Sequence, residues 1–270
     1  MKTQLLKLTW GLALLGVASR PASADVLFYS DGSDIANFSN EYNGAGNGGT
    51  SESASPFMIN GVSQGSYIAA TSYPQAFLDS PVTASAQGIW VGFLMQATSP
   101  NTWTGGINLS TDTSLVSRYS FGYAGGACWF GNSMNLALAD PNYNTSSGYS
   151  VADGQSIAVL AHFYDTGSSG TFNTGDLYVD SSLASGVSFG APIVSGFSMA
   201  GAVSSIGSIR LQADPGGETR NYDNIVIATT QAEAISGIGG VAPTPEPSTL
   251  ALAGLGGLGL LWQLRRRKIV

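Results

Sequence analysis

An all-β sandwich set between two targeting segments is the fold that this 270-residue sequence predicts. Three observations carry it. The chain has 36 glycines, about twice the average frequency, and Ser, Thr and Asn fill much of the rest. Short runs of aromatic and β-branched residues recur between turn signals throughout the interior. No apolar stripe of helical period runs for any length there, while both ends of the chain are oily and flanked by cations.

The first segment reads as a signal peptide, residues 1–24. Lys2 and Lys7 form a basic start, residues 8–18 ("LTWGLALLGVA") an apolar run, and Pro21 with Ala22-Ser23-Ala24 a break and a small-residue cleavage pattern. The mature chain then begins near Asp25. From there the runs "DVLFYS", "SYIAA", "GIWVGFLMQA", "SRYSFGYA", "SMNLALA", "SIAVLAHFYD", "DLYVD", "SIRLQAD" and "NYDNIVIAT" read as strands. Tyr119, Phe121 and Tyr123 alternate with Arg118, Ser120 and Gly122, as a half-buried strand requires. "IWVGFLMQ" and "IAVLAHFY" are apolar on both faces, as central strands are. One or two helical turns are expected at "TTQAEAIS", residues 229–236. The domain spans 25–236, and the Gly/Pro-rich 237–244 is its linker to the tail.

The order of these parts resembles concanavalin A-like and laminin-G-like domains. In these an N-terminal strand, here "DVLFYSD", lies near a last strand of the type "NYDNIVIATTQAEAI" that ends in a short helix. The resemblance implies a two-sheet antiparallel jelly roll with a concave face, a fold on which carbohydrate binding is frequent.

The last segment, 245–270, opens on Pro245-Glu246-Pro247 and closes on Arg265, Arg266, Arg267 and Lys268. Between them an uncharged stretch, 248–264, is expected to form a transmembrane helix. Its core, 250–264, reaches only about 22 Å as a helix, short of the ~30 Å hydrocarbon layer, so the anchor is marginal and suits a temporary one. The cationic cluster keeps its own end cytoplasmic and places the domain outside. This tripartite tail resembles the PEP-CTERM sorting signal of Gram-negative bacteria. The resemblance implies an exosortase-like membrane protease as partner, beside the signal peptidase. It also implies transient anchoring in the inner membrane, then release to the cell surface or matrix of an exopolysaccharide-producing, biofilm-forming cell.

Charge narrows the function of the body. Seven of the ten cations lie in the two ends and sixteen of the seventeen acids lie between them, leaving Arg118, Arg210 and Arg220 as the body's cations and a net charge of −13. Such a surface has no footprint for nucleic acid. Cys128 is the single cysteine, in the small and apolar "GGACWFG", so the body has no internal disulfide and the thiol reads as buried and inert. His162 is the single histidine, within a hydrophobic strand, where a satisfied side chain is expected rather than a general base. The body glutamates Glu41, Glu52, Glu218 and Glu233 all read as loop or helix, so the strand-borne carboxylate pair of a glycosidase is missing. No catalytic residue and no obligate cofactor is expected.

Two binding chemistries remain. Asp165, Asn173 and Asp176 fall in one Gly-rich stretch, "DTGSSGTFNTGD", that reads either as a plain hairpin loop or as a calcium site. Trp103, Trp129 and Tyr143 sit in or beside polar, Gly/Asn-rich stretches, where rings either stack on sugars or plug loops into the core. Trp103 reads as a turn residue because Pro100, Asn101 and the Gly105-Gly106 pair surround it. The reading is an exported, non-enzymatic surface or matrix protein, structural or adhesive, with exopolysaccharide as the candidate ligand. The alternative is a secreted carbohydrate-active hydrolase on the same fold.

Overall fold

A computed structural model of the protein describes residues 26–40, 48–96, 105–111, 118–124, 127–131, 152, 154–212 and 219–239. The described strands all belong to one compact unit, Asp25–Thr244. The signal peptide at 1–24, the sorting tail with Pro245, Glu246, Pro247, Arg265, Arg266, Arg267 and Lys268, and the membrane helix expected at 248–264 lie outside the described residues. Among those that are described, no helix is long and apolar enough to cross a membrane.

In chain order the strands are β1 (Val26–Ser30), β2 (Ser39–Asn40), β3 (Gly49–Glu52), β4 (Met58–Ile59), β5 (Val62–Ser63), β6 (Tyr67–Ala70), β7 (Pro74–Thr83) and β8 (Ile89–Gln96). They continue with β9 (Gly105–Ser110), β10 (Arg118–Ala124), β11 (Ala127–Gly131), β12 (Ser156–Tyr164), β13 (Phe172–Asp180), β14 (Val194–Val203), β15 (Ser205–Gln212) and β16 (Arg220–Ala228). One helix, α1 (Gln231–Ile238), follows. An eight-stranded antiparallel sheet has the order β14-β13-β12-β8-β16-β6-β3, with β1 also paired to β16; a six-stranded sheet runs β11-β10-β9-β15-β7-β2; and β4-β5 form a small hairpin. This is the two-sheet antiparallel sandwich that the sequence predicts.

Alternation decides which side chains fill the space between the sheets. Val91, Phe93 and Met95 of β8 and Val159, Ala161 and Phe163 of β12 face Ile107 and Leu109 of β9 and Ile209 and Leu211 of β15 across one buried core. β8 and β12 are buried on both faces because a second cluster covers the far side. There Leu94, Leu160 and Val226 pack under Phe57, Ala234 and Ile238. The helix can approach because Gly92 has no side chain; a Cβ there would stand 2.3 Å from Ile238 Cδ1. Thr230 caps the helix, its hydroxyl accepting the Glu233 N–H at 3.4 Å and donating to Glu233 Oε2 at 3.1 Å. The helix runs two residues past the expected domain edge at 236, and Ile238 is fully buried.

Several expectations need correction. Gly105 and Gly106 open β9 rather than forming a turn after Trp103, because they pair with Tyr123 and Gly122 of β10. β13 begins at Phe172, four residues before the run "DLYVD", so Asn173 is a strand residue rather than a loop one; Asp176 lies in the ladder from Tyr164↔Thr174 to Ala158↔Asp180. Glu52 ends β3 and is exposed, taking the Thr50 hydroxyl at 2.8 Å. β7, with Pro74 and Pro81 in it, and the Gly-containing β9 and β14 were not legible as strands. The run "SMNLALA", 133–139, lies outside the described residues.

Candidate functional site

The core residues of the six-stranded sheet alternate with a polar set that points away from the core. Between Ile107, Leu109, Ile209, Leu211, Ala76 and Leu78 stand Asn108, Ser110, Ser208, Arg210, Gln212, Gln75 and Phe77. Cross-strand register gathers them into rows, Ser110–Ser208–Phe77, then Asn108–Arg210–Gln75, then Gly106–Gln212. Phe77 is 47% exposed at the β7 side, while Arg210 is buried and Gln212 is 1% exposed. The rows thus run from an open aromatic ring to a closed amide.

Most of this set is partnered. Gln75 Nε2 donates to Ser208 Oγ at 3.1 Å, and the Arg210 guanidinium carbon stands 4.9 Å from the centroid of the Tyr73 ring. Asn108, Ser110, Ser208 and Arg210 all make further interactions. Gln212 differs. Its main-chain carbonyl accepts the hydroxyl of the buried Tyr222, which in turn accepts the Gly106 N–H at 2.7 Å. Its side-chain Nε2 and Oε1 are both buried, and among the described residues neither has a hydrogen-bond partner. Each such unmet group costs about 1–3 kcal/mol.

Of the aromatic residues singled out in the sequence, Trp103 and Tyr143 lie outside the described residues. Trp129 stands on β11 in register with Gly122, which is in register with Gly106 and so with Gln212. The Asn108–Arg210–Gln75 row was not legible, since β7 and β9 did not read as strands. Only "SIRLQAD", with its alternating Arg210 and Gln212, pointed there.

The stretch singled out for calcium brings two of its three residues together. Asp165 Oδ1 accepts from the Gly167 N–H at 3.0 Å, the Ser169 hydroxyl at 3.1 Å and Asn173 Nδ2 at 2.9 Å, and Oδ2 accepts the Gly170 N–H at 2.7 Å. Burial pulls the Asp165 pKa up, but these donors outweigh it and hold it at about 2. Asp176 does not join them. It sits on the outer face of β13, where Oδ1 accepts the Gly196 N–H at 2.7 Å and Oδ2 lies 3.7 Å from His162 Nδ1. Among the described residues no group of three His, Cys, Asp or Glu is placed to hold a metal ion.

His162 lies in an aromatic stack on that outer face. Its ring is parallel to Trp90 with centroids 4.0 Å apart, and Tyr164 covers its other side at 4.5 Å. Nε2 is 2.9 Å from the Gln87 carbonyl and donates to it, which leaves Nδ1 as the acceptor of a neutral ring facing Asp176. Burial lowers the His162 pKa, with the Gln87 carbonyl and Asp176 acting the other way. Both ring faces and Nε2 are occupied, so the stack offers edges to solvent rather than a flat platform.

Comparison with known proteins adds the tail. Residues 243–267 match the family described as PEP-CTERM protein-sorting motif. The chain carries a PEP-CTERM sorting motif. It is therefore an exported protein, handled by an exosortase-type system. No curated protein matches the chain. Its body is similar in structure to the Trypanosoma cruzi calreticulin globular domain, at 11% identity over 86% of this chain and 100% of that one, with a TM-score of 0.46. It is similar also to domain 4 of AbnA, an extracellular arabinanase from Geobacillus stearothermophilus in complex with arabinotriose, at 14% identity over 80% and 99% with a TM-score of 0.46. Alginate lyase Aly36B is a third, at 16% identity over 76% and 96% with a TM-score of 0.36.

Proposed function

We propose that this exported PEP-CTERM protein is a non-enzymatic, surface- or matrix-located adhesin that holds neutral polysaccharide on the outer face of its six-stranded sheet. The observation that carries this reading is Phe77, an aromatic ring 47% exposed at the edge of the rows of amides and hydroxyls. A sugar chain stacks its C–H face on the exposed Phe77 ring.

The same chemistry argues for recognition rather than catalysis. Among the described groups that could move a proton, His162 is committed to Gln87 between two rings, Asp165 to its own loop and Asp176 to Gly196. With only three arginines in the body, the attachment does not depend on charge, and binding is expected to change little with salt. Co-sedimentation of the exported protein with the matrix polysaccharide of its own producing cells tests the reading. Retention at low and high salt alike is expected; loss of the protein from the pellet at either would refute it.

A further inference from the structure

A cleft of about 490 Å³ opens between the end of β1, the β4–β5 hairpin and β16, away from the polar sheet face. It has its own recognition chemistry. Asp31 lies at its mouth, with Oδ1 taking the Ser33 N–H at 3.0 Å and the Ser33 hydroxyl at 2.6 Å, while Oδ2 is left without a described donor. The Ser33 hydroxyl above all keeps the Asp31 pKa below the usual carboxylate range, although burial opposes it, so Asp31 is an anion at neutral pH.

Asn60 enters from the tip of the hairpin in the left-handed region, at φ 53, with Gly61 behind it at φ 73. Its main-chain N–H is bound to the Leu183 carbonyl at 3.1 Å, and its exposed side-chain amide has no described partner. The back wall is rigid. Asn224, also left-handed at φ 46, donates through Nδ2 to Gln64 Oε1 and to the Ile238 carbonyl, both at 3.1 Å, and accepts the Tyr29 hydroxyl at 3.5 Å. Val62 forms the lip and is 63% exposed. Two of the three described non-glycine residues with positive φ therefore line one cleft, Asn60 because an Asn-Gly hairpin turn takes that conformation.

We propose that this cleft is a second saccharide subsite, taking one neutral pyranose residue. The free carboxylate oxygen of Asp31 accepts hydroxyl hydrogens, the Asn60 amide both donates and accepts, and Val62 receives an apolar sugar face. The lining contains Asp31 and no lysine or arginine, so an anionic sugar is repelled. The site is distinct from the sheet face and does not rest on the function proposed for it. Two saccharide contacts on one small domain raise avidity for a long chain without any added affinity at either.

The test is an NMR titration of the ¹⁵N-labelled exported protein with the methyl glycosides of glucose, mannose and galactose. At least one is expected to shift the side-chain amide signals of Asn60 and Gln64 saturably. Asp31→Ala is expected to weaken that binding by about tenfold or more, as loss of a charged hydrogen-bond acceptor does. Asn60→Gly, which suits the left-handed backbone and so keeps the fold, is expected to do the same. Gln212→Leu is expected to leave it unchanged, which separates this subsite from the sheet face. Absence of any shift with all three glycosides overturns the inference. So does unaltered affinity in both cleft variants, or loss of cleft binding in Gln212→Leu.

Discussion

Replacing Asp223 with asparagine is expected to flatten the pH dependence of this domain's stability. Asp223 is fully buried in β16, where Oδ2 accepts the Ser55 hydroxyl at 2.9 Å and Oδ1 accepts the Asn224 N–H at 2.8 Å. Burial raises its pKa from 3.8 to about 7; the two hydrogen bonds pull it down, and Asp31 adds to the rise. The folded protein therefore binds a proton that the unfolded chain releases between about pH 4 and pH 7. By linkage, the stability this group confers is complete at pH 4 and falls as pH climbs to 7. About three pH units at ~1.4 kcal/mol each give an upper bound of about 4 kcal/mol. For a domain of this size that equals about 8–16 °C in Tm. Asparagine keeps both hydrogen bonds, since its oxygen accepts from Asn224 and its nitrogen donates to Ser55, and it carries no charge. Differential scanning calorimetry from pH 4 to 8 should show the two proteins alike at pH 4 and Asp223→Asn progressively more stable above it. Parallel curves would refute the reasoning.

His162 has the opposite sign: its lowered pKa means stability present above pH 6.5 and lost below it, so its ring protons should titrate by NMR with a midpoint under 6.5. Thr230→Ala removes the cap of α1 and should cost about 1 kcal/mol in urea unfolding, while Thr230→Ser restores most of it. Gly92→Ala forces Ile238 off the sheet and should cost about 1–3 kcal/mol, with Gly92→Ala/Ile238→Ala less destabilised than the sum of its singles. Because Asp165 already has four donors and Asp176 is engaged elsewhere, millimolar calcium should leave Tm unchanged; a calcium-dependent rise that Asp165→Ala abolishes would restore the metal reading.

What the sequence disclosed, and what it hid, follows from where the physical signal lies. β8 and β12 announce themselves because both faces are buried along most of their length, and β16 through its apolar run 225–228. The cap and helix at Thr230 are local, and a Thr with Glu three residues on can be read without the rest of the chain. β7 and β9 are the failures. One carries two prolines and an exposed acid, the other starts on two glycines, and both are strands because their neighbours in the ladder make them so. The candidate site rests on those two strands, so it was hidden with them. Asp176 was misplaced for a related reason. Its spacing from Asp165 suits a loop, but pairing with His162 across β12 and β13 turns it to the outer face of the sheet. The unmet amide of Gln212 is a property of three-dimensional accounting, invisible in any one stretch of sequence.

The central claim is that the sheet face takes polysaccharide through the exposed Phe77 ring, and one pair of measurements on Phe77→Ala tests it. Because the ring is 47% exposed, thermal unfolding should show the variant within about 1 kcal/mol of the wild type. Polysaccharide affinity, measured by isothermal titration on the same samples, should fall by at least about tenfold, as loss of an aromatic anchor does. A variant that keeps its stability and binds polysaccharide as the wild type does would contradict the account.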